Sequence, residues 1–278
     1  MRNLSTLYAP SGRERPVAEY LENALKDYVD TSSIDTMNNY VGIKKGKNAK
    51  KTILIDVHTD EVARKEPEKI IFRKEGNLIS GKALDDRSGC AAMIAVAREL
   101  ASYDDLNVIY VGASREERGM HMRGAKKVAK DIAGRGMKVD LAIAFDVVNC
   151  YDGEKKSNKL GQGVTIMKRQ GAFGMARDAD RNALDLCYNV AETYGGKCQT
   201  STYKWLSDLW TTDARQYHDL AKASALVVSI PCLNMHGYSS KTGLLHRRGG
   251  TLEEKIDTRD LTDTVRFTAG LAKAYARK

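Results

Sequence analysis

The run TILIDVH, at residues 52–58, is apolar at nearly every position and rich in branched side chains. Such a run is typical of a strand that is buried on both faces of a sheet. It ends in His58, and Asp60 follows two positions later. Because ligands of open α/β sheets gather beyond the carboxyl ends of strands, the end of this run is a candidate site.

Three further buried strands are predicted, and each of them also leads to a carboxylate or a histidine. They are residues 108–113, which lead to Glu116 and Glu117, residues 141–145, which lead to Asp146, and residues 225–230, which lead to His236. Helical patterns separate the strands along most of the chain. This alternation predicts an α/β fold with a mixed, mostly parallel central sheet and helices on both faces.

The acidic pair Asp85-Asp86 precedes the small-residue run GCAA at residues 89–92, which opens a predicted helix. Two adjacent carboxylates at a helix start suit a cation site, although a solvated turn explains such a pair when it stands alone. The other candidates also have structural explanations. A Glu pair after a strand is often a solvated helix start, Asp146 can be an N-cap, and His236 can be a satisfied buried histidine. Their joint occurrence at strand ends favours one shared site.

Bulk composition limits the class of protein. The 278 residues include 45 Lys and Arg against 36 Asp and Glu, a net charge of +9. The basic residues are dispersed, and the densest group, residues 44–51, is predicted to be a solvated turn, so nucleic acid is not favoured as a partner. The five cysteines show no Cys-x-x-Cys spacing, which argues against a thiolate zinc site. No segment approaches the ~18 apolar residues of a membrane span, and we expect a soluble, cytoplasmic protein.

Ser11 and Glu14 have the spacing of a capping box, with Pro16 in the first turn. The pattern predicts that Ser11 caps a helix that runs to about Tyr28. The rest of the chain shows no internal repeat, low-complexity linker or clear domain boundary.

The strand-end set consists of seven side chains: His58, Asp60, Asp85, Glu116, Glu117, Asp146 and His236. Mixed imidazole and carboxylate ligands suit Zn²⁺, Co²⁺ or Mn²⁺ better than Ca²⁺. If one carboxylate is shared, the set suffices for two ions, which can activate a water and polarise a carbonyl. On a strand His58 and Asp60 share a face, so Asp60 can hold the second imidazole nitrogen. One residue of the Glu116-Glu117 pair would bind metal and the other would act as general base.

In the order and type of these residues, the chain resembles the glutamyl/deblocking aminopeptidases over nearly its whole length. The shared motifs occur in the family's order and are VHTDEV at residues 57–62, KALDDR at 82–87, Glu116-Glu117 with RGA at 123–125, FDV at 145–147 and MH at 235–236. The resemblance implies a zinc-exopeptidase-like fold, two divalent metal ions and a peptide substrate. Members of that family often assemble as tetrahedral particles.

The resemblance also implies a role for each candidate residue. The implied metal ligands are His58, Asp85 and Asp146 for one ion, and Asp85, Glu117 and His236 for the other, with Asp85 as the bridge. The implied catalytic and substrate-binding residues are Glu116 as general base, Asp60 as the support of His58, and Asp213, Gly161 and Gly163 near the substrate.

The chain departs from the family pattern in two places. The family carries a sizeable extra domain between the His-x-Asp strand and the Asp-Asp turn, whereas this chain has only residues 61–84 there. Residues 1–278 are therefore predicted to form a single di-metal peptidase domain without the inserted dimerisation domain. A monomer or small homo-oligomer is expected rather than a large shell. Residues 237–250 look like an extension.

These observations predict a metal-dependent aminopeptidase that cleaves N-terminal residues from peptides through a water between two metal ions, with Glu116 as general base. Two alternatives remain open at the level of sequence. A di-metal amidohydrolase or deacylase acting on small N-acyl substrates would use the same ligands. An inactive binding protein on the same fold could instead use its +9 surface on nucleic acid.

Overall fold

The computed structural model describes residues 1–62, 72–117, 122–150, 158–170, 177–193, 196–202, 212–238 and 252–278. The helices within these residues are α1 (Arg2–Ser5), α2 (Arg15–Leu25), α3 (Leu84–Leu100), α4 (Arg123–Gly134), α5 (Arg181–Thr193), α6 (Ala214–Ala221) and α7 (Thr258–Ala276). Of these helices, all within the described ranges, none is both long and apolar enough to cross a membrane.

The strands of the described residues belong to one sheet. They are β1 (Thr31–Ile34), β2 (Tyr40–Lys44), β3 (Thr52–His58), β4 (Phe72–Glu75), β5 (Leu78–Gly81), β6 (Asn107–Ala113), β7 (Leu141–Asn149), β8 (Val164–Gln170), β9 (Arg177–Asp178), β10 (Cys198–Thr202), β11 (Ser224–Leu233) and β12 (Glu254–Asp257).

The strand order is β1-β2-β6-β3-β7-β11-β12-β5-β4. The four central strands, β6, β3, β7 and β11, are parallel to one another. The neighbours β2 and β12 are antiparallel to them, and β8 branches from β11 and carries β9 and β10. The prediction of a mixed α/β sheet with a mostly parallel centre is confirmed.

Helices cover both faces of the sheet, as predicted. Ile53, Ile55 and Val57 of β3 belong to one core with α2, α3, α5 and α7, whereas Leu54 belongs to a second core with α4 and α6. This alternation explains why β3 is apolar at nearly every position, since both of its faces are covered. The strand period of two also places Asp56 and His58 on the face of Leu54.

The chain around Ser11 differs from the sequence-based prediction. Helix α2 begins at Arg15, with Glu14 at its N-cap, and it ends at Leu25. The Ser11 hydroxyl donates to the carboxylate of Asp60, and the Glu14 carboxylate accepts from the amide of Gly12. The capping-box prediction is wrong, because a carboxylate that is distant in sequence takes the hydroxyl that would have capped the helix.

The stretch between β3 and α3 adds two strands to the main sheet. Strand β4 pairs with β5, and β5 pairs with β12 through the register of Gly81 opposite Glu254. Residues 63–71 lie outside the described residues, as do most of the extension predicted at 237–250, of which 239–250 are not described. The single-domain organisation of residues 1–278 stays a prediction.

Candidate metal centre

The parallel strands bring the strand-end set to one edge of the sheet. His58 is the last residue of β3, and the register of Asp56 opposite Ala144 places it level with Asp146 of β7. The Glu pair follows β6 and His236 follows β11, so all of these residues lie at the carboxyl-end edge of the parallel strands. The carboxyl ends of neighbouring parallel strands meet at one edge, which is where open α/β sheets bind ligands.

Asp85 lies between two histidines at this edge. Its Oδ1 is 2.9 Å from His58 Nε2, and its Oδ2 is 2.9 Å from His236 Nε2. Glu117 Oε1 is 3.0 Å from His236 Nε2, and Asp146 Oδ1 is 3.9 Å from His58 Nε2. The structure therefore assembles two three-residue groups around one shared carboxylate, and the ligand atoms within each group lie within 4.8 Å of one another.

Electrostatics indicate that this edge is suited to hold positive charge. Burial, together with the charge of Asp85, raises the pKa of Asp146 to about 7. Burial raises the pKa of Glu116 well above its usual range, and the charges of Glu117 and Asp146 add to the effect. Burial would also raise the pKa of Asp85, but its contacts with His236 and His58 outweigh burial and hold it below its ordinary value.

Burial and charge act on the pKa values of the two imidazoles in the opposite directions from those on Asp85. Burial would lower the pKa values of His58 and His236, but their acidic neighbours raise both well above the ordinary value. A crowded, buried group of carboxylates is costly unless cations or protons compensate it. The donor set of imidazole nitrogen and carboxylate oxygen fits divalent transition metals.

Exposure differs across the centre. The side chains of His58 and Asp85 are 2% and 4% exposed, whereas those of Asp146 and His236 are 18% and 25% exposed. Asp146 and His236 are therefore the more solvent-accessible ligands of the centre.

Asp60 has a broader role than its sequence position indicates. Its carboxylate accepts from the amides of Glu116 and Glu117 at 3.0 and 3.1 Å and from the hydroxyl of Ser11. His58 Nδ1 is 3.2 Å from the backbone oxygen of Asp60 and 3.6 Å from its carboxylate. The backbone of Asp60 therefore makes the closer contact with the imidazole, while its side chain orients the Glu pair.

The loops that carry the ligands contain non-glycine residues in the left-handed region. Ala83 has φ 54°, Arg115 has φ 59°, and Asn234 and His236 have φ 57° and 58°. Such conformations are sparsely populated for residues with a Cβ, and they persist where the surrounding structure enforces them. The peptide bond between Asp85 and Asp86 is cis.

The three predicted substrate-binding residues are buried, and of these Asp213 interacts with residues of the centre. Asp213 is 3% exposed and lies beside Asp56; burial and the charge of Asp56 raise its pKa well above the ordinary value. The amides of Gly161 and Gly163 donate to the two carboxylate oxygens of Asp260, at 2.7 and 2.6 Å. Substrate contacts for Asp213, Gly161 and Gly163 stay a prediction.

Sequence reasoning missed Glu254. This residue is 4% exposed, and its carboxylate accepts from the backbone amides of Leu84, Asp85 and His236. Its only local signal is a second acidic residue, Glu253, directly before a short strand, and such a pair is ordinarily solvated.

The chain is similar to known proteins in both sequence and fold. Residues 66–244 match the model of the M42 glutamyl aminopeptidase family. Among solved structures, the aminopeptidase APDkam598 of the archaeon Desulfurococcus kamchatkensis superposes with a TM-score of 0.81 at 24% identity, covering 98% of this chain and 92% of that one. The TET1 peptidase of Pyrococcus horikoshii, described as assembling into a tetrahedron or a large octahedral shell, superposes with a TM-score of 0.73 at 18% identity, covering 98% and 97%.

Curated relatives match over shorter spans. A protein of Pyrococcus abyssi described as a LysW-lysine/LysW-ornithine hydrolase is 30% identical over 119 residues, which is 42% of this chain and 32% of that protein. A protein of Acetivibrio thermocellus described as an aminopeptidase is 23% identical over 228 residues, covering 55% and 66%. The chain thus spans about a third to two thirds of the length of these relatives.

Proposed function

The chain belongs to the M42 glutamyl aminopeptidase family, and from this premise we propose that it is a metal-dependent aminopeptidase that removes N-terminal residues from peptides. The sequence-based recognition of this family is confirmed, and the prediction of an aminopeptidase-type hydrolase is confirmed at the level of the family. One observation carries the proposal, namely the approach of each Asp85 oxygen to a different histidine nitrogen at 2.9 Å. A carboxylate in that position is suited to two cations at once.

The proposed ligands are His58, Asp85 and Asp146 for the first ion and Asp85, Glu117 and His236 for the second. We propose zinc as the metal, with cobalt or manganese as alternatives, because imidazole and carboxylate ligands suit all three. When bound, the ions supply Lewis acidity toward the scissile carbonyl and a water of lowered pKa.

Glu116 is the proposed general base. Its carboxylate belongs to neither proposed ligand set, and one of its oxygens lies within 4.8 Å of ligand atoms of His58 and Glu117. Burial raises the pKa of the Glu116 carboxyl well above its usual range, which makes the carboxylate a stronger base. Glu116 would take a proton from the attacking water and deliver it to the leaving amine. The Asp60 carboxylate would hold the Glu116 backbone in place by accepting a hydrogen bond from the Glu116 amide.

The substrate and assembly follow from the same features. The acidic surroundings of the centre favour the protonated amine at the N-terminus of a peptide. We also propose that residues 1–278 form one catalytic domain and a monomer or small oligomer, because the described part of residues 61–84 adds strands β4 and β5 to the main sheet.

The decisive experiment combines metal analysis with a panel of aminoacyl-anilides. Two ions per chain and turnover of the panel are expected. Glu116→Gln should keep both ions and lose about 10²–10⁴-fold in kcat, which is the usual contribution of a general base. Glu99→Gln, an exposed site on α3, is the matched control. Full activity of metal-loaded Glu116→Gln would rule out this mechanism.

A second candidate is an amidohydrolase that acts on small N-acyl substrates. The observation that favours it is the 30% identity over 119 residues with the LysW-lysine/LysW-ornithine hydrolase of Pyrococcus abyssi. Both activities would use the same centre, so substrate choice separates them. Turnover of N-acyl amino acids or of lysine linked to a carrier, without turnover of aminoacyl-anilides, would establish the second candidate.

A further inference from the structure

Glu254 occupies a junction in the sheet. It is the first residue of β12, and it pairs with Gly81 of β5, while the next residue, Lys255, pairs with Leu233 of β11. Both flanking strands continue directly into the metal centre, since Asp85 follows β5 and His236 follows β11. Glu254 therefore stands where the two segments that carry these residues leave the sheet and separate.

The Glu254 carboxylate bridges the two segments. Oε2 accepts from the amides of Leu84 and Asp85 at 2.5 and 3.3 Å, and Oε1 accepts from the amide of His236 at 2.9 Å. The side chain is 4% exposed, so water competes little for these bonds. One carboxylate thus uses one oxygen for each segment.

From this geometry we infer that Glu254 is a positioning residue that sets the separation of Asp85 and His236 and thereby the affinity of the second ligand set. The inference rests on the proposed function, because it assumes that these residues bind metal. Asp85 and His236 lie 2.9 Å apart through Oδ2 and Nε2, so a small shift of either segment changes this contact.

The effect is expected to be larger for one ion than for the other. In the first ligand set, His58 and Asp146 lie on β3 and β7, and the ladder between these two parallel strands holds them level. Glu254 makes no hydrogen bond to β3 or β7 among those of the described residues. A change at Glu254 therefore displaces both Asp85 and His236 of the second set, but only the shared Asp85 of the first set, whose other two ligands the strand ladder holds in place.

Two variants separate the reach of the side chain from its charge. Glu254→Gln keeps the length but has one acceptor oxygen, so one segment would face an amide NH₂ group. Glu254→Asp keeps the charge but is one methylene shorter and cannot span both segments. Glu253→Gln is the matched control, because Glu253 is the adjacent residue and its carboxylate forms a surface ion pair with Arg73 at 3.3 Å.

The measurement is the stepwise binding of Zn²⁺ and Co²⁺ to chelator-treated protein by calorimetry. The Co²⁺ absorption spectrum, kcat and KM are recorded in parallel. Circular dichroism tests whether each variant is folded. His236→Ala identifies the binding step that belongs to the second set. Glu254→Gln and Glu254→Asp should each weaken that step about 10–100-fold, which is typical for residues that orient ligands, and weaken the other step, which shares only Asp85, by clearly less. Glu253→Gln should bind both ions like the wild type.

Any of three binding results would overturn the inference: both steps unchanged in Glu254→Gln, both steps weakened equally, or wild-type binding by Glu254→Asp, which would assign the effect to charge alone. Loss of folding in both variants with metal present would also overturn it, since Glu254 would then serve the fold in general. A wild-type protein that binds fewer than two ions would instead refute the proposed function, and this inference with it.

Discussion

Replacement of Gly89 by alanine tests how tightly the start of α3 is packed against the metal centre. The Gly89 amide donates to Asp86 Oδ1 at 2.8 Å. A Cβ built at Gly89 would lie 2.1 Å from Asp86 Oδ2, where ordinary contacts begin at 3.4 Å. Asp86 is completely buried, so its carboxylate has no free space into which to retreat.

The expected cost combines three effects. Overpacking in a dense core costs about 1–3 kcal/mol. Displacement of the Asp86 carboxylate weakens the bond to the Gly89 amide, a loss of about 0.5–3 kcal/mol. The higher helix propensity of alanine returns up to ~1 kcal/mol. Gly89→Ala is therefore expected to lower the free energy of unfolding by about 0.5–6 kcal/mol, and to reduce activity because Asp85 directly precedes the displaced residue.

Urea denaturation followed by circular dichroism measures the change. Gly134→Ala is the matched control, because Gly134 also lies in a helix and a Cβ there would meet no atom within 4 Å. The control should be neutral or slightly stabilising. If Gly89→Ala is as stable as Gly134→Ala, then the close contact with Asp86 has no energetic consequence and the reasoning fails.

Three further predictions follow from the described contacts. Zn²⁺ at about 100 times Kd should raise the free energy of unfolding by about 2.7 kcal/mol per ion. Asp85→Ala should abolish both increments. A denaturation midpoint of the wild type that does not change with Zn²⁺ would contradict the proposed ligands. Burial raises the pKa of Asp260 to about 6, so the folded state binds the Asp260 proton more tightly than the unfolded state does. The protonated carboxyl therefore stabilises the fold below about pH 4, and this contribution is lost as the pH rises through about 6. The free energy of unfolding of the wild type relative to Asp260→Asn should therefore decline from pH 4 to pH 7 in urea titrations with chelator present, and a constant difference would exclude this linkage. Burial raises the pKa of Cys90 to about 12, so iodoacetamide at pH 8 should leave it unmodified in the native protein by mass spectrometry, whereas rapid native labelling would show that the thiol is accessible.

The central strands could be predicted from the sequence because their signal is local. Strand β3 is apolar on both faces, and both faces are in fact covered by helices. Side-chain alternation and the rule that ligands gather at the carboxyl ends of strands then predict that His58, Asp146 and His236 lie at one edge of the sheet.

The hydrogen bonds that hold these residues in place could not be predicted in the same way. The Glu254 carboxylate meets the amide of Leu84 from 170 residues away, and the Asp60 carboxylate meets that of Glu117 from 57 residues away. Ser11 illustrates the difficulty, because its spacing to Glu14 predicts a helix cap, yet its hydroxyl binds Asp60.

The sequence by itself therefore determined which side chains reach the edge of the sheet, because strand period and residue chemistry are properties of neighbouring residues. Only the tertiary structure decided which acceptor each amide and hydroxyl uses. Hydrogen bonds depend on separations of a few tenths of an ångström, and packing between distant segments sets those separations.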